Sequence, residues 1–223
     1  MDRKSELIQL MVRSGVLTFG DFVTKSGRKT PYFVNTGNFR TGAQLAALGD
    51  LYARTIVEDF GTDFDALFGP AYKGIPLASA AAASLWRNHG IDKPYFFNRK
   101  EAKDHGEGGS LVGYKPKDGD RIVIVEDVVT AGTAVRESAE ILKAVADVKL
   151  SALIVSIDRR ERGQGTLAAL DELEEQFGLK VCPIATVYDV IERLHNTEVD
   201  GKVYIDDATR AAMESYLAEY GAK

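Results

Sequence analysis

The stretch Arg121-Ile122-Val123-Ile124-Val125-Glu126-Asp127-Val128-Val129-Thr130-Ala131-Gly132-Thr133-Ala134 limits what this chain can fold into more than any other. Ile122 to Val125 is an unbroken β-branched run, the pattern of a strand covered on both faces of a parallel sheet. Gly132 allows a tight backbone bend, and Thr133 is expected to be the N-cap of the helix that follows. Unpaired N–H groups and the positive end of the helix dipole make such a turn an anion site of phosphate size. Two carboxylates placed just before it, Glu126 and Asp127, suit no bare phosphate. They suit a phosphorylated sugar, whose hydroxyls and bound cation lie one sugar-length from the phosphate. A strand end that merely caps a helix is the plainer alternative; strand, acid pair, Thr/Gly turn and helix in this order favour the sugar phosphate. Neither Gly-x-x-x-x-Gly-Lys-Ser/Thr nor Gly-x-Gly-x-x-Gly occurs, so the usual P-loop and dinucleotide readings fall away.

The surrounding pattern sets the fold class. From Gly61 to about Val190, short apolar runs alternate with helical stretches, which predicts an α/β fold with a parallel sheet flanked by helices. Strands are expected at Ala66–Phe68, Tyr95–Phe97, Ile122–Val125, Leu153–Ile157 and Ile184–Val187. Helices are expected at Ile75–Arg87, Ala134–Val145 and Leu167–Phe177. Gln44 to Phe60 reads as one long helix with Leu45, Leu48, Tyr52, Ile56 and Phe60 inward. Ser5–Arg13 reads as a helix, Phe19–Lys25 and Thr30–Asn35 as a hairpin, and Ala208–Tyr220 as a last helix. The chain is thus a single domain: residues 61–190 form a ligand-binding core, and about residues 1–40 with C-terminal elements form a small hood.

Composition removes several classes. The formal charge of −5 over 223 residues gives no general attraction for nucleic acid. The single cysteine, Cys182, excludes an internal disulfide framework. Asp2, Arg3, Lys4 and Glu6 precede any apolar run, so no signal peptide is expected. No stretch approaches the ~18 apolar residues of a membrane span. A cytoplasmic protein is expected.

Four further segments carry candidate chemistry. Gly69-Pro70-Ala71-Tyr72-Lys73-Gly74 is a second strand-to-helix turn, where a diphosphate could meet backbone N–H groups and Lys73. Residues 98–120 are poor in apolar side chains and carry Arg99, Lys100, Lys103 and His105, which reads as a mobile loop able to close on a polyanion. Lys25 to Asn35 places basic residues beside Tyr32 and Phe33, suited to a flat anionic ring. Asp158-Arg159-Arg160-Glu161-Arg162-Gly163 puts arginines at a strand end, where one can grip a carboxylate at two points. For each, a solvated surface cluster is the alternative that spacing leaves open.

Taken together, these segments resemble the orotate phosphoribosyltransferases, members of the type I phosphoribosyltransferase family, over nearly the whole chain. The loop Asn98-Arg99-Lys100-Glu101-Ala102-Lys103-Asp104-His105-Gly106-Glu107-Gly108 carries the most specific match. The resemblance implies the type I phosphoribosyltransferase fold and transfer of ribose 5-phosphate from PRPP to orotate, giving orotidine 5′-monophosphate and diphosphate in UMP synthesis. It implies Mg²⁺ as cofactor, held mainly by PRPP and water, and a homodimer whose loop closes over the partner's site. PRPP would be held by Lys25, Tyr72, Lys73, Arg99, Lys100, Lys103, His105, Glu126, Asp127 and the loop Val128, Val129, Thr130, Ala131, Gly132, Thr133 and Ala134. Orotate would meet Lys25, Phe33, Val34, Thr130 and Arg159. Lys103, His105, Lys73 and Asp127 would be the catalytic set. Two rival readings follow: a phosphoribosyltransferase for another base, and a PRPP-sensing regulator without catalysis. The base-side set Lys25, Phe33 and Arg159 favours an anionic pyrimidine over a purine. The retained loop cations and acidic balance speak against the regulator. Glu126 stands where many members have aspartate, Val34 replaces a common phenylalanine, and Leu111–Asp120 is longer than in relatives.

Overall fold

The computed structural model of this chain describes residues 2–24, 27–103, 109–163 and 165–222. Helix α1 (Arg3–Arg13), capped by the Asp2 side chain, leads into the antiparallel hairpin β1 (Leu17–Val23) and β2 (Lys29–Val34). Helix α2 (Gly42–Thr55) opens with a reciprocal capping box between Thr41 and Gln44, which satisfies two orphan N–H groups at once. It ends in a π-helical turn, Ile56–Phe60, so the single helix expected from Gln44 to Phe60 is two pieces. Leu48, Tyr52 and Ile56 are buried as the periodicity predicts.

The core alternates strand and helix: β3 (Ala66–Gly69), α3 (Gly74–His89), β4 (Tyr95–Lys103), β5 (Gly109–Gly113), β6 (Arg121–Val128), α4 (Thr133–Lys143), β7 (Lys149–Asp158), α5 (Ala169–Phe177) and β8 (Lys180–Thr186). The sheet order is β5-β4-β3-β6-β7-β8. Its inner strands run parallel, Leu67 pairing Val123 and Ile124 pairing Leu153. The sheet is mixed rather than parallel throughout, because β5 pairs antiparallel with β4. That pair also corrects the reading of residues 98–120 as structureless. Asn98 to Lys103 continue β4, and Gly109–Gly113 return beside it. Its charged residues hid the strand from a search for apolar runs; an edge hairpin projecting into solvent needs no buried face.

Two apolar layers flank the sheet. Val123, Val125 and Ile154 point toward α1, α2 and α3, whereas Ile122, Ile124 and Leu153 meet Val135, Ala139 and Leu142 of α4 and Leu173 of α5. The strand expected at Ile184–Val187 spans Lys180–Thr186, because Thr186 caps α6 (Val187–Leu194) in a capping box with Asp189. A short hairpin, β9 (Glu198–Val199) and β10 (Lys202–Val203), precedes α7 (Asp207–Tyr220). Helix α7 packs on β2, with Tyr216 edge-on to Tyr32 at 5.9 Å. The chain end then crosses the end of β7: Ala222 N–H donates to Arg160 C=O and Arg162 N–H to Tyr220 C=O.

Candidate active site

Three strand-to-helix turns converge at the C-terminal edge of the sheet, where open α/β folds bind ligands. The first follows β6. Its helix α4 begins at Thr133 with Gly132 as N-cap, φ 74° and ψ 9°. Thr133 is therefore the first helical residue and not the cap, a correction that follows from the left-handed backbone only glycine adopts readily. Residues 128–135 with Glu126 line a cavity of about 250 Å³. Thr130, Ala131, Thr133 and Ala134 are exposed to it while Gly132 is buried. Arg136 braces the turn from behind, donating to Ala131 C=O and pairing with Glu172.

The acid pair lies inside β6, not beyond its end, so Glu126 and Asp127 point to opposite faces. Asp127 is buried and takes Lys73 Nζ at 3.0 Å; Thr36 Oγ1 donates to the same carboxylate oxygen and accepts from Lys73 at 2.9 Å. Glu126 has a different environment. Its Oε2 is buried with no hydrogen-bond partner. Burial first, then the neighbouring Asp127 charge, push its carboxyl up to about 8, while Lys73 and Lys100 act against them. The backbone under both acids is pinned. Tyr52 Oη donates to Glu126 C=O at 2.6 Å and Ser156 Oγ to Asp127 C=O at 2.6 Å.

The second turn, residues 70–74, joins β3 to α3 and contains a cis peptide between Ala71 and Tyr72. Asn98 on β4 accepts from Ala71 N–H at 2.8 Å. Gly69 and Gly74 touch so closely that a Cβ on Gly69 would stand 2.6 Å from the Gly74 carbonyl carbon. Tyr72 is 71% exposed, with Lys100 Nζ of the same chain 5.8 Å over its ring. Arg99 is half-buried on the same strand. The third turn follows β7. Arg159 is nearly buried against the Tyr32 ring at 5.2 Å and pairs with Glu161 at 2.7 Å. Thr130 and Arg159 line one cleft. On the hairpin, Phe33 is 40% exposed and stacks near Phe22 at 5.7 Å, while Val34 packs on the core.

The structure therefore gathers Tyr72, Lys73, Arg99, Lys100, Glu126, Asp127 and residues 128–134 at one sheet edge, with Arg159 beside Thr130. Lys25 and His105 lie outside the described residues, as does the side chain of Lys103. Sequence reasoning assigned no role to Thr36, Asn98, Tyr52 or Ser156. Only Asn98 left a signal, standing at the head of the charged loop; the others come together through tertiary packing alone.

A phosphoribosyl transferase domain model matches residues 36–168. Orotate phosphoribosyltransferase from Clostridium beijerinckii is 54% identical over 220 residues, covering 99% of this chain and 98% of the relative. That from Photobacterium profundum is 52% identical over 216 residues, covering 97% of each. The chain belongs to the orotate phosphoribosyltransferase family. A crystal structure of orotate phosphoribosyltransferase from Francisella tularensis superposes with a TM-score of 0.83 at 36% identity, covering 96% of this chain and 98% of that one. The residues matched by the domain model, 36–168, include all three turns.

Proposed function

We propose that this chain transfers ribose 5-phosphate from PRPP to a ring nitrogen of orotate, releasing diphosphate and orotidine 5′-monophosphate in UMP synthesis. The observation that carries it is the convergence of a phosphate-sized cradle, a carboxylate pair and a lysine-bearing second turn at one sheet edge. The N–H groups of Thr130 to Ala134 take the 5′-phosphate, helped by the α4 dipole. Glu126 and Asp127 accept from the ribose hydroxyls. Tyr72, Lys73 and Arg99 hold diphosphate oxygens, and Lys25, Phe33, Val34, Thr130 and Arg159 face orotate.

The reaction breaks the bond from the anomeric carbon to diphosphate and forms one to the base nitrogen. Positive charge grows on the sugar while negative charge grows on diphosphate. Cations placed on the departing side therefore bind the transition state more tightly than the ground state. Lys73 supplies one such charge once it exchanges Asp127 for diphosphate. Lys103 and His105 come from the partner's loop in a homodimer, and loop closure excludes water that would hydrolyse PRPP. Among the described residues no cluster of three His, Cys, Asp or Glu could cage a metal, and Asp127 is taken up by Lys73 and Thr36. This donor set fits Mg²⁺ carried by diphosphate and water, since Mg²⁺ dehydrates reluctantly and favours substrate phosphates. Bound there, Mg²⁺ would neutralise charge on the leaving diphosphate. Among the described residues no helix is long and apolar enough to cross a membrane.

The test is diphosphate release from PRPP and Mg²⁺ with orotate, and separately with uracil, adenine and hypoxanthine. Release with orotate alone is expected. Equal release with a purine base, or none with any base, contradicts the proposal.

A further inference from the structure

Glu161 is a buried carboxylate that receives one donor from its own strand end and two from the β1–β2 hairpin, 129 and 133 residues away in sequence. Arg159 Nη2 reaches its Oε1 at 2.7 Å, Tyr32 Oη the same oxygen at 3.0 Å, and Arg28 Nη2 its Oε2 at 2.7 Å. Glu161 is only 8% exposed, so these contacts act in a poorly screened setting. Arg28 comes from the tip of the β1–β2 hairpin, Tyr32 from β2, and Arg159 from the end of β7. Aromatic rings fix the two guanidiniums from their other side: Arg159 over Tyr32 at 5.2 Å, Arg28 over Tyr220 at 4.9 Å. Between Arg159 and Glu161, Arg160 adopts φ 51°, an unusual conformation for a side-chain residue. It is held there by its own N–H to Asp158 and by pairing with Asp171. Across Arg160, the side chains of Arg159 and Glu161 meet at 2.7 Å.

Two guanidiniums share the Glu161 carboxylate, while Arg160 pairs with Asp158 and Asp171, so the cluster is balanced and Arg159, which lines a cleft with Thr130, is held in place by Glu161. A guanidinium fixed in this way has further N–H groups to offer a ligand carboxylate, a partner that a neutral pyrimidine does not supply. From this geometry we infer that Glu161 is the positioning residue for base recognition, holding the Arg159 guanidinium and tying the hood hairpin to the core so that a monoanionic base is selected. The inference rests on orotate as the acceptor proposed above.

Kinetics of Glu161→Gln test it, with KM measured separately for each substrate. KM for orotate should rise at least tenfold while KM for PRPP stays within twofold, because the cradle and second turn are untouched. Selectivity for orotate over uracil should fall by a similar factor. A lower orotate KM would mean that Glu161 only competes for Arg159, and an unchanged one that it positions nothing; parallel rises for both substrates would mark a merely structural role. Each overturns the inference. Tyr32→Phe, which deletes one of the three donors and keeps the ring, should raise orotate KM a few-fold in the same direction; no rise there also overturns it, should Glu161→Gln fail to fold. Failure of the wild type to use orotate would instead sink the proposed reaction, so the two readings fail separately.

Discussion

Replacing Glu126 with Gln should stabilise the protein in a pH-dependent way. The wild-type carboxyl titrates near 4.5 when solvated and near 8 in the fold, driven by burial and by the adjacent Asp127. Between these values the folded chain keeps a proton that the unfolded chain has released. Stability contributed by the protonated group is therefore complete below about pH 4.5 and declines as pH rises toward and through 8. At about 1.4 kcal/mol per unit, the full shift corresponds to roughly 5 kcal/mol; water reaching the carboxyl through the cleft brings the expected effect to about 2–4 kcal/mol. Glutamine keeps the shape and cannot ionise. It also leaves a buried polar oxygen unpartnered, but that offset does not change with pH.

The assay is urea unfolding of both proteins at pH 5, 6, 7 and 8, at one protein concentration so that any subunit equilibrium cancels. Subtracting the two curves removes every other titrating group. The difference, variant minus wild type, should climb with pH across this range, with matched m-values. A flat difference curve would refute the reasoning, since it would show that Glu126 ionises in the fold as readily as in water. A difference falling with pH would mean that Glu126 is held ionised by Lys73 or Lys100 after all.

Other substitutions separate the parts of the site. Gly69→Ala would press a methyl group 2.6 Å from the Gly74 carbonyl carbon and 2.9 Å from Ala78 Cβ; overpacking of this kind costs about 1–3 kcal/mol and should lower Tm by several degrees in a thermal scan. Asn98→Ala strips the acceptor from Ala71 N–H; the second turn should loosen, raising KM for PRPP several-fold with orotate KM unmoved, and a reversed pattern would contradict its place on the diphosphate side. Lys103→Ala should cut kcat by about 10²–10³-fold, the range for loss of one electrostatic stabiliser, and near-normal turnover would remove Lys103 from the chemistry. Gly132→Ala imposes φ 74° on a residue with a Cβ that meets Arg136; it should cost about 1–2 kcal/mol and weaken PRPP binding.

What could be read from the residues divides along physical lines. Interior strands announce themselves because both faces are apolar: Ile122 to Val125 and Leu153 to Ile157 leave little choice of element. The glycine and proline of residues 69–76 marked a turn for the same local reason. Residues 98–103 and 109–113 carry little apolar signal because hydrogen bonding along a sheet edge, more than burial, makes them strands. Propensity favours Thr133 as the cap, whereas the backbone geometry assigns that place to Gly132. Thr36 and Ser156 carry no local mark, and the periodicity that turns Tyr52 inward gives no sign of its hydroxyl's partner. Each reaches β6 across 29 or more residues of sequence, and such contacts exist only once the chain has closed.

Those hidden contacts explain how two adjacent acids come to differ. Ser156 and Tyr52 grip the backbone of Asp127 and Glu126, so neither residue can shift to relieve the repulsion between their carboxylates. Asp127 is answered by Lys73 and Thr36; Glu126 keeps a buried oxygen without a partner. A fold selected for stability alone would have paired both or replaced one, since an unsatisfied buried acceptor costs about 1–3 kcal/mol. An oxygen left unsatisfied in the wall of the cavity beside the β6–α4 turn is a ready acceptor for a ligand hydroxyl, which is the ribose contact proposed above for Glu126.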